Sequence, residues 1–135
     1  MLFLRRNDMT NKKQTKVLLV DDEPNILVAL EFLVKQEGYQ VWKAENGEQA
    51  LQTMEKERPH IVVLDVMMPG MDGFEVARQI RKNRRLEHTR IIFLTAKGTQ
   101  SDRFKGYANG GEVYLTKPFD NDELISTIND VVEFG

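Results

Sequence analysis

Apolar residues fall along this chain in short unbroken runs, and the central one is Ile61-Val62-Val63-Leu64, which ends at Asp65. Four consecutive Val/Ile/Leu residues without alternation read as a strand buried on both faces, the pattern of a parallel sheet covered by helices on each side. The same grammar recurs along the chain. Val17-Leu18-Leu19-Val20 ends at the acid pair Asp21-Asp22, Ile91-Ile92-Phe93-Leu94 ends at Thr95, and Val113-Tyr114-Leu115-Thr116 is followed by Lys117. A short strand, Gln40 to Ala44, contains Trp42.

Helical spacing fills the intervals. Pro24 suits a first turn, Ile26, Leu30, Leu33 and Val34 then recur at helical intervals, and Gly38 stops the helix. Gly47 to Glu57 presents Ala50, Leu51 and Met54 inward and closes before Pro59. After Asp65, a loop with Pro69, Gly70 and Gly73 leads into a helix that is expected to bury Phe74, Ala77 and Ile80. A weaker helix, Thr99 to Ala108, carries Phe104 and Tyr107, and Gly110-Gly111 turns into the fifth strand. Asp120 or Asn121 caps a last helix bearing Leu124, Ile128, Val131 and Val132 on one face.

Five alternating strand and helix units predict an α/β fold, a doubly wound (βα)5 sandwich around a parallel sheet. Ligand crevices in such sheets lie outside the carboxyl ends of the strands, where Asp21, Asp22, Asp65, Thr95 and Lys117 are expected. Periodicity does not give the strand order, so it does not say which of these side chains meet.

Composition narrows the class. The chain has 135 residues, enough for one domain with its own core. It has no cysteine, hence no disulfide framework or thiolate site. A net charge of −2 does not suggest a general nucleic-acid or membrane binder. Apolar runs stop at five residues, far short of the roughly 20 that a membrane-spanning helix needs. The start, Met1-Leu2-Phe3-Leu4-Arg5-Arg6, reverses the charge order of a secretory signal, so a cytoplasmic protein is expected. Residues 1–15 read as a flexible tail and 16–135 as the folded domain.

Taken together, VLLVDDEP, VVLDVMMPGMDGFE, IIFLTA and VYLTKPF, in that order and each at the C-terminal end of a predicted strand, resemble the receiver domain of two-component response regulators, over residues 16–133. The resemblance implies a flavodoxin-like sheet in the order 2-1-3-4-5, which sets the ends of the first and third strands about 5 Å apart. Asp21, Asp22 and Asp65 would then share one site. Three carboxylates so close repel one another, and a hard dication with oxygen ligands is the simplest remedy; Mg2+ fits.

By resemblance, Asp22 and Asp65 bind the metal directly, Asp21 through water, and Met67 through its main-chain carbonyl. Asp65 is the phosphoacceptor, attacking a phosphohistidine of a sensor histidine kinase or phosphotransfer protein. Lys117 supplies positive charge to the phosphoryl oxygens and Thr95 a hydroxyl. The Lys117-Pro118 bond is expected cis, aiming the lysine into the site. Tyr114 occupies the family's aromatic switch position and turns inward as Thr95 moves. The switching face, formed by the predicted helix over 99–108, the fifth strand and the last helix, meets the downstream protein. Met67 and Lys97, each two residues beyond a site residue, tune the rate; an apolar Met67 cannot hold a hydrolytic water, which predicts slow self-dephosphorylation.

Taken singly, these residues have plainer explanations. Acids at strand ends also cap helices, Thr95 fits an ordinary strand, and Lys117 a solvated surface. Arg78, Arg81, Lys82, Arg84 and Arg85 crowd a helix end, where cations complement the dipole, so no nucleic-acid contact is expected. His60 and His88 read as surface residues. Gly110-Gly111-Glu112-Val113 and Arg90 depart from the family's usual residues, away from the acid, hydroxyl and lysine positions.

The expectation is therefore a stand-alone phosphorelay receiver, monomeric or dimerising on phosphorylation, not inserted in a membrane, and not an enzyme beyond its own phosphorylation and slow dephosphorylation. Competing readings are a receiver fragment of a larger DNA-binding regulator, a phosphorylation-independent adaptor, or a haloacid-dehalogenase-like phosphatase. The last expects a second Asp where Met67 stands.

Overall fold

The computed structural model describes residues 12–96 and 113–134. Five strands, β1 (Lys16–Val20), β2 (Gln40–Ala44), β3 (Ile61–Asp65), β4 (Arg90–Thr95) and β5 (Val113–Thr116), alternate with helices α1 (Pro24–Glu37), α2 (Gly47–Glu57) and α3 (Gly73–Lys82) before the last helix, α4 (Asn121–Phe134). The helix expected over 99–108 lies outside the described residues, as do residues 1–11. Residues 12–15 of the expected tail are described, and there the chain is bound in place: Lys12 pairs with Glu37 at 2.7 Å and Thr15 is buried.

The strands form one sheet in the order β2-β1-β3-β4-β5, and every pairing is parallel. The unbroken apolar runs are buried on both faces, as their sequence predicts. Leu18, Val20, Val62, Leu64, Ile91 and Phe93 face Ala50 and Met54 of α2 and Val76, Ala77 and Ile80 of α3. Val17, Leu19, Ile61, Val63, Ile92 and Leu94 face Leu27, Leu30 and Val34 of α1 and Leu124, Ile128 and Val131 of α4. Burying aliphatic side chains of this size contributes about 1.5–3 kcal/mol each, so the two clusters hold the sheet rigid under its edge loops. No described helix is long and apolar enough to cross a membrane.

Two helix faces differ in detail from their sequence patterns. In α1, Leu27 is buried while Ile26 is only partly so, and in α3 Val76 is fully buried while Phe74 is partly exposed, its ring 5.2 Å from that of Phe93. Local chemistry marks where the helices begin. Asn46 accepts a hydrogen bond from the Gln49 amide and Asp72 one from the Glu75 amide, both at 2.9 Å. Asp120, the first of the two candidate caps, accepts from the Asp122 amide at 2.8 Å.

Gly73 fixes α3 to the strand that carries Asp65. Its amide donates to the Val66 carbonyl at 3.0 Å, and a Cβ at this position would lie 2.4 Å from the Asp65 carbonyl oxygen. Only hydrogen fits there. Gly70, by contrast, has φ +75° with open space around it. Gly73→Ala is therefore expected to cost about 1–3 kcal/mol, as overpacking does, by displacing the Asp65 main chain. Gly70→Ala should cost about 1 kcal/mol through backbone conformation alone. Urea unfolding of both variants checks the ranking, and equal losses would contradict it.

Candidate functional site

The sheet order makes β1, β3, β4 and β5 neighbours, and their carboxyl ends carry the chemistry. Register sets Val20 beside Leu64, Asp65 beside Leu94 and Thr95 beside Thr116. Asp21, Asp65, Thr95 and Lys117 therefore leave four consecutive strands at one end of the sheet. Main-chain bonds hold these ends together: the Val66 amide donates to the Leu94 carbonyl at 3.1 Å, and the Lys117 amide to the Thr95 carbonyl at 2.6 Å.

Carboxylate oxygens of Asp21, Asp22 and Asp65 all lie within 4.8 Å of one another. Asp21 and Asp65 are buried, and Asp22 is the more open of the three. Oxygens sharing one magnesium at its usual bond length stand about 3–4 Å apart, so the donor set fits a hard dication, with one acid free to bind through water. Lys117, joined to Pro118 by a cis peptide, points into this cluster. Its Nζ lies 2.6 Å from Asp21 Oδ2 and 3.5 Å from Asp65 Oδ1.

Main-chain amides complete the acids' shell. The Glu23 amide donates to Asp21 Oδ1 at 2.9 Å, and the Met67 amide to Asp65 Oδ1 at 3.4 Å. Thr95 is fully buried at the end of β4. Tyr114, one strand over, is also buried, with its ring 6.3 Å from that of Phe93. Met67 stands at the mouth, 52% exposed. Lys97, the second rate-tuning position, lies outside the described residues.

Other residues singled out in the sequence stay apart from this cluster. His60 and His88 are exposed, and His60 Nδ1 accepts the Lys16 amide at 2.9 Å. Arg78 pairs with Glu75, and Arg85 with Glu55. Two contributors had no sequence signal of their own, the amides of Glu23 and Met67, because any residue supplies an amide.

Electrostatics make Asp65 unusual. Burial raises its carboxyl, the nearby Asp21 charge raises it further, and Lys117 only partly opposes them, leaving it pushed up to about 7. For Lys117, burial works against the charge, but the Asp21 hydrogen bond and the Asp65 charge outweigh it and its pKa rises. An Asp65 pKa above its unfolded value means that the folded state holds this proton more tightly. The resulting stability is complete below the unfolded value near 3.8 and is lost as pH rises through about 7. Metal-free protein should thus lose stability between pH 4 and 8 through this group, whereas Asp65→Asn should not, and at pH 8 should exceed wild type by on the order of 2 kcal/mol. Thermal melts in chelator across this range check the crossover; parallel profiles for the two proteins would refute it.

Comparison with known proteins fits this geometry. A sequence model of the response regulator receiver domain matches residues 17–129. The chemotaxis protein CheY4 of Vibrio cholerae is 33% identical, with 87% of this chain and 98% of that one covered at a TM-score of 0.83. A putative response regulator from Chloroflexus aurantiacus is also 33% identical, over 88% and 98% of the two chains, with a TM-score of 0.84. The BeF3-activated receiver domain of DrrB is 34% identical over 88% and 97%, with a TM-score of 0.80; a longer DrrB chain, 52% of which is covered, is described as a Thermotoga maritima OmpR/PhoB homolog. With strand order, acid cluster and family match in agreement, this chain belongs to the CheY-like response regulator receiver domains of two-component signalling.

Proposed function

We propose that this receiver is switched by phosphorylation of Asp65. The observation that carries the reading is the convergence of Asp21, Asp22 and Asp65 with Lys117 at one sheet edge, beside the buried Thr95. A carboxylate raised toward neutrality by its surroundings, with a cation 3.5 Å away, is poised as a nucleophile once its charge is balanced.

In the proposed reaction an Asp65 oxygen attacks the phosphorus of a phosphohistidine on a sensor kinase or phosphotransfer protein. The phosphorus–nitrogen bond breaks as the new oxygen–phosphorus bond forms, and the electron pair leaves with the imidazole. Magnesium, held by Asp22 and Asp65, by Asp21 through water and by the Met67 carbonyl, would supply positive charge at the transferring group. Lys117 holds charge on the phosphoryl oxygens, and the Thr95 hydroxyl donates to one of them. The chain acts only on itself, so it is a signalling element and not an enzyme with turnover.

A protein donor is favoured by the outer face of α1, which begins three residues after Asp21 and exposes Val28 at 62% and Phe32 at 66%. Readout would pass from Thr95 to Tyr114 and so to the face containing β5 and α4, where the downstream protein binds. The BeF3-activated form of DrrB's receiver domain lends support, because it is an activated state of a relative of similar size.

Incubation with magnesium and acetyl phosphate, followed by intact mass, tests the reading. A single phosphate adduct is expected on wild type and none on Asp65→Asn; an unmodified wild type would overturn it. Decay of that adduct tests Met67 separately. Met67→Asn, which gives a hydrolytic water a polar partner, is expected to shorten the phosphate lifetime several-fold, and an unchanged lifetime would remove Met67 from the rate.

A further inference from the structure

We propose that the amino end of the sheet carries a second binding site, a small cavity beside His60 and Arg90 that takes a monocarboxylate with a compact apolar body. The site is separate from the acids at the other end of the same strands. Ile61 and Arg90, which line the cavity, begin β3 and β4, whereas Asp65 and Thr95 end them, so about 13 Å of strand lies between the two sites.

The cavity has a volume of about 330 Å³. Small-molecule pockets run from roughly 300 to 1,000 Å³, so this one suits a compact ligand. One wall is aliphatic: Ile61 is buried at the foot of β3, and Val131 and Val132 come from the last turns of α4. The other wall carries His60, His88 and Arg90, and among the described residues no carboxylate lines the space. An apolar wall facing donors and cations selects an anion with an apolar body.

The His60 ring is held in place. Its amide donates to the Lys16 carbonyl at 2.9 Å and its Nδ1 accepts the Lys16 amide at 2.9 Å, so main chain and side chain both tie it to the foot of β1. With Nδ1 accepting, the neutral imidazole carries its proton on Nε2 and donates there. A metal is a poor occupant for the same reason, because coordination needs an unprotonated ring nitrogen and the Lys16 amide already uses it. What His60 offers is a fixed donor.

Arg90 sets the charge. Its guanidinium is positive at every working pH, and the planar fork of donors matches a carboxylate. The Arg90 amide donates to the His60 carbonyl at 2.9 Å, so the residues that carry the guanidinium and the imidazole are joined through the main chain. One permanent cation balances one negative charge. A phosphate monoester brings nearly two, which favours the carboxylate.

Titration of sodium benzoate into the isotope-labelled full chain, followed by NMR at constant ionic strength, tests this. Benzoate is expected to saturate with a Kd of about 1 mM or tighter, shifting the methyl signals of Ile61, Val131 and Val132 and the Nε2 proton of His60. Benzyl alcohol, which keeps the ring and drops the charge, should bind at least about tenfold more weakly, and phenyl phosphate no more tightly than benzoate. Arg90→Met, which keeps bulk and removes charge, should lose at least about tenfold in benzoate affinity. Because the ligand comparison uses wild type alone, it decides the matter even where that variant fails to fold. Methyl signals unmoved by benzoate, equal binding of benzyl alcohol, or a His60 ring protonated on Nδ1 would each overturn the inference, and tighter binding of phenyl phosphate would overturn the choice of a carboxylate. None of these readouts depends on phosphorylation of Asp65, so the proposed function and this site stand or fall separately.

Discussion

Two carboxylates buried on adjacent strand ends repel each other, and the local structure at this edge of the sheet is arranged around that repulsion. Register forces the encounter, since pairing Val20 with Leu64 leaves Asp21 and Asp65 no separation beyond one strand spacing. Desolvation and the neighbouring charge act together, which is why the Asp65 carboxyl is pushed up to about 7. Lys117 and two main-chain amides offset part of the penalty. What they leave uncompensated is a standing preference for positive charge. Pairs of this kind are held by the rest of the fold, because removing one partner of a buried pair costs more than the pair contributes.

The apolar layers supply that hold. Leu18, Val20, Val62 and Leu64 lie on one side and Val17, Leu19, Ile61 and Val63 on the other, so β1 and β3 are gripped from both faces. A slip of one residue in either strand would turn every side chain to the opposite layer and separate the two acids. Gly73 adds a local clamp, since α3 starts against the Asp65 carbonyl at a distance only a glycine tolerates. Rigid backbone beneath a repulsive charge cluster is what keeps the site open to cations instead of letting it relax apart.

How much of this could be read from residues alone differed by scale. The strands were legible because runs such as Ile61 to Leu64 are short, rich in β-branched residues and bounded by polar or turn residues, and their ends carried the acids, the hydroxyl and the lysine. Helix faces were less so. In α1, Ile26, Leu27, Val28, Leu30, Phe32, Leu33 and Val34 are apolar nearly all round, so spacing does not choose between Ile26 and Leu27. In the fold Leu27 turns inward while Val28 and Phe32 stay outside. In α3 the bulkier Phe74 drew attention from Val76, yet Val76 sits over the core and Phe74 reaches it only from the edge. The placement of Asp21, Asp22, Asp65 and Lys117 at strand ends was visible in the pattern, but not the preference of Lys117 for Asp21, which joins residues 96 positions apart and depends on strand order and on one side chain's conformation.

The loop after Asp65 separates two properties that sequence merges in one residue. Met68 is buried at 6% exposure while its neighbour Met67 is 52% exposed, so the chain alternates sharply as it leaves β3. The Met67 amide faces inward, toward Asp65 Oδ1, although its side chain stands in solvent. Main chain and side chain therefore answer to different demands. The first is tied to the strand end and available to any residue; the second stands in solvent. In the proposed chemistry, phosphate lifetime can then vary through this side chain while the acids, the amide and the lysine stay where the sheet puts them.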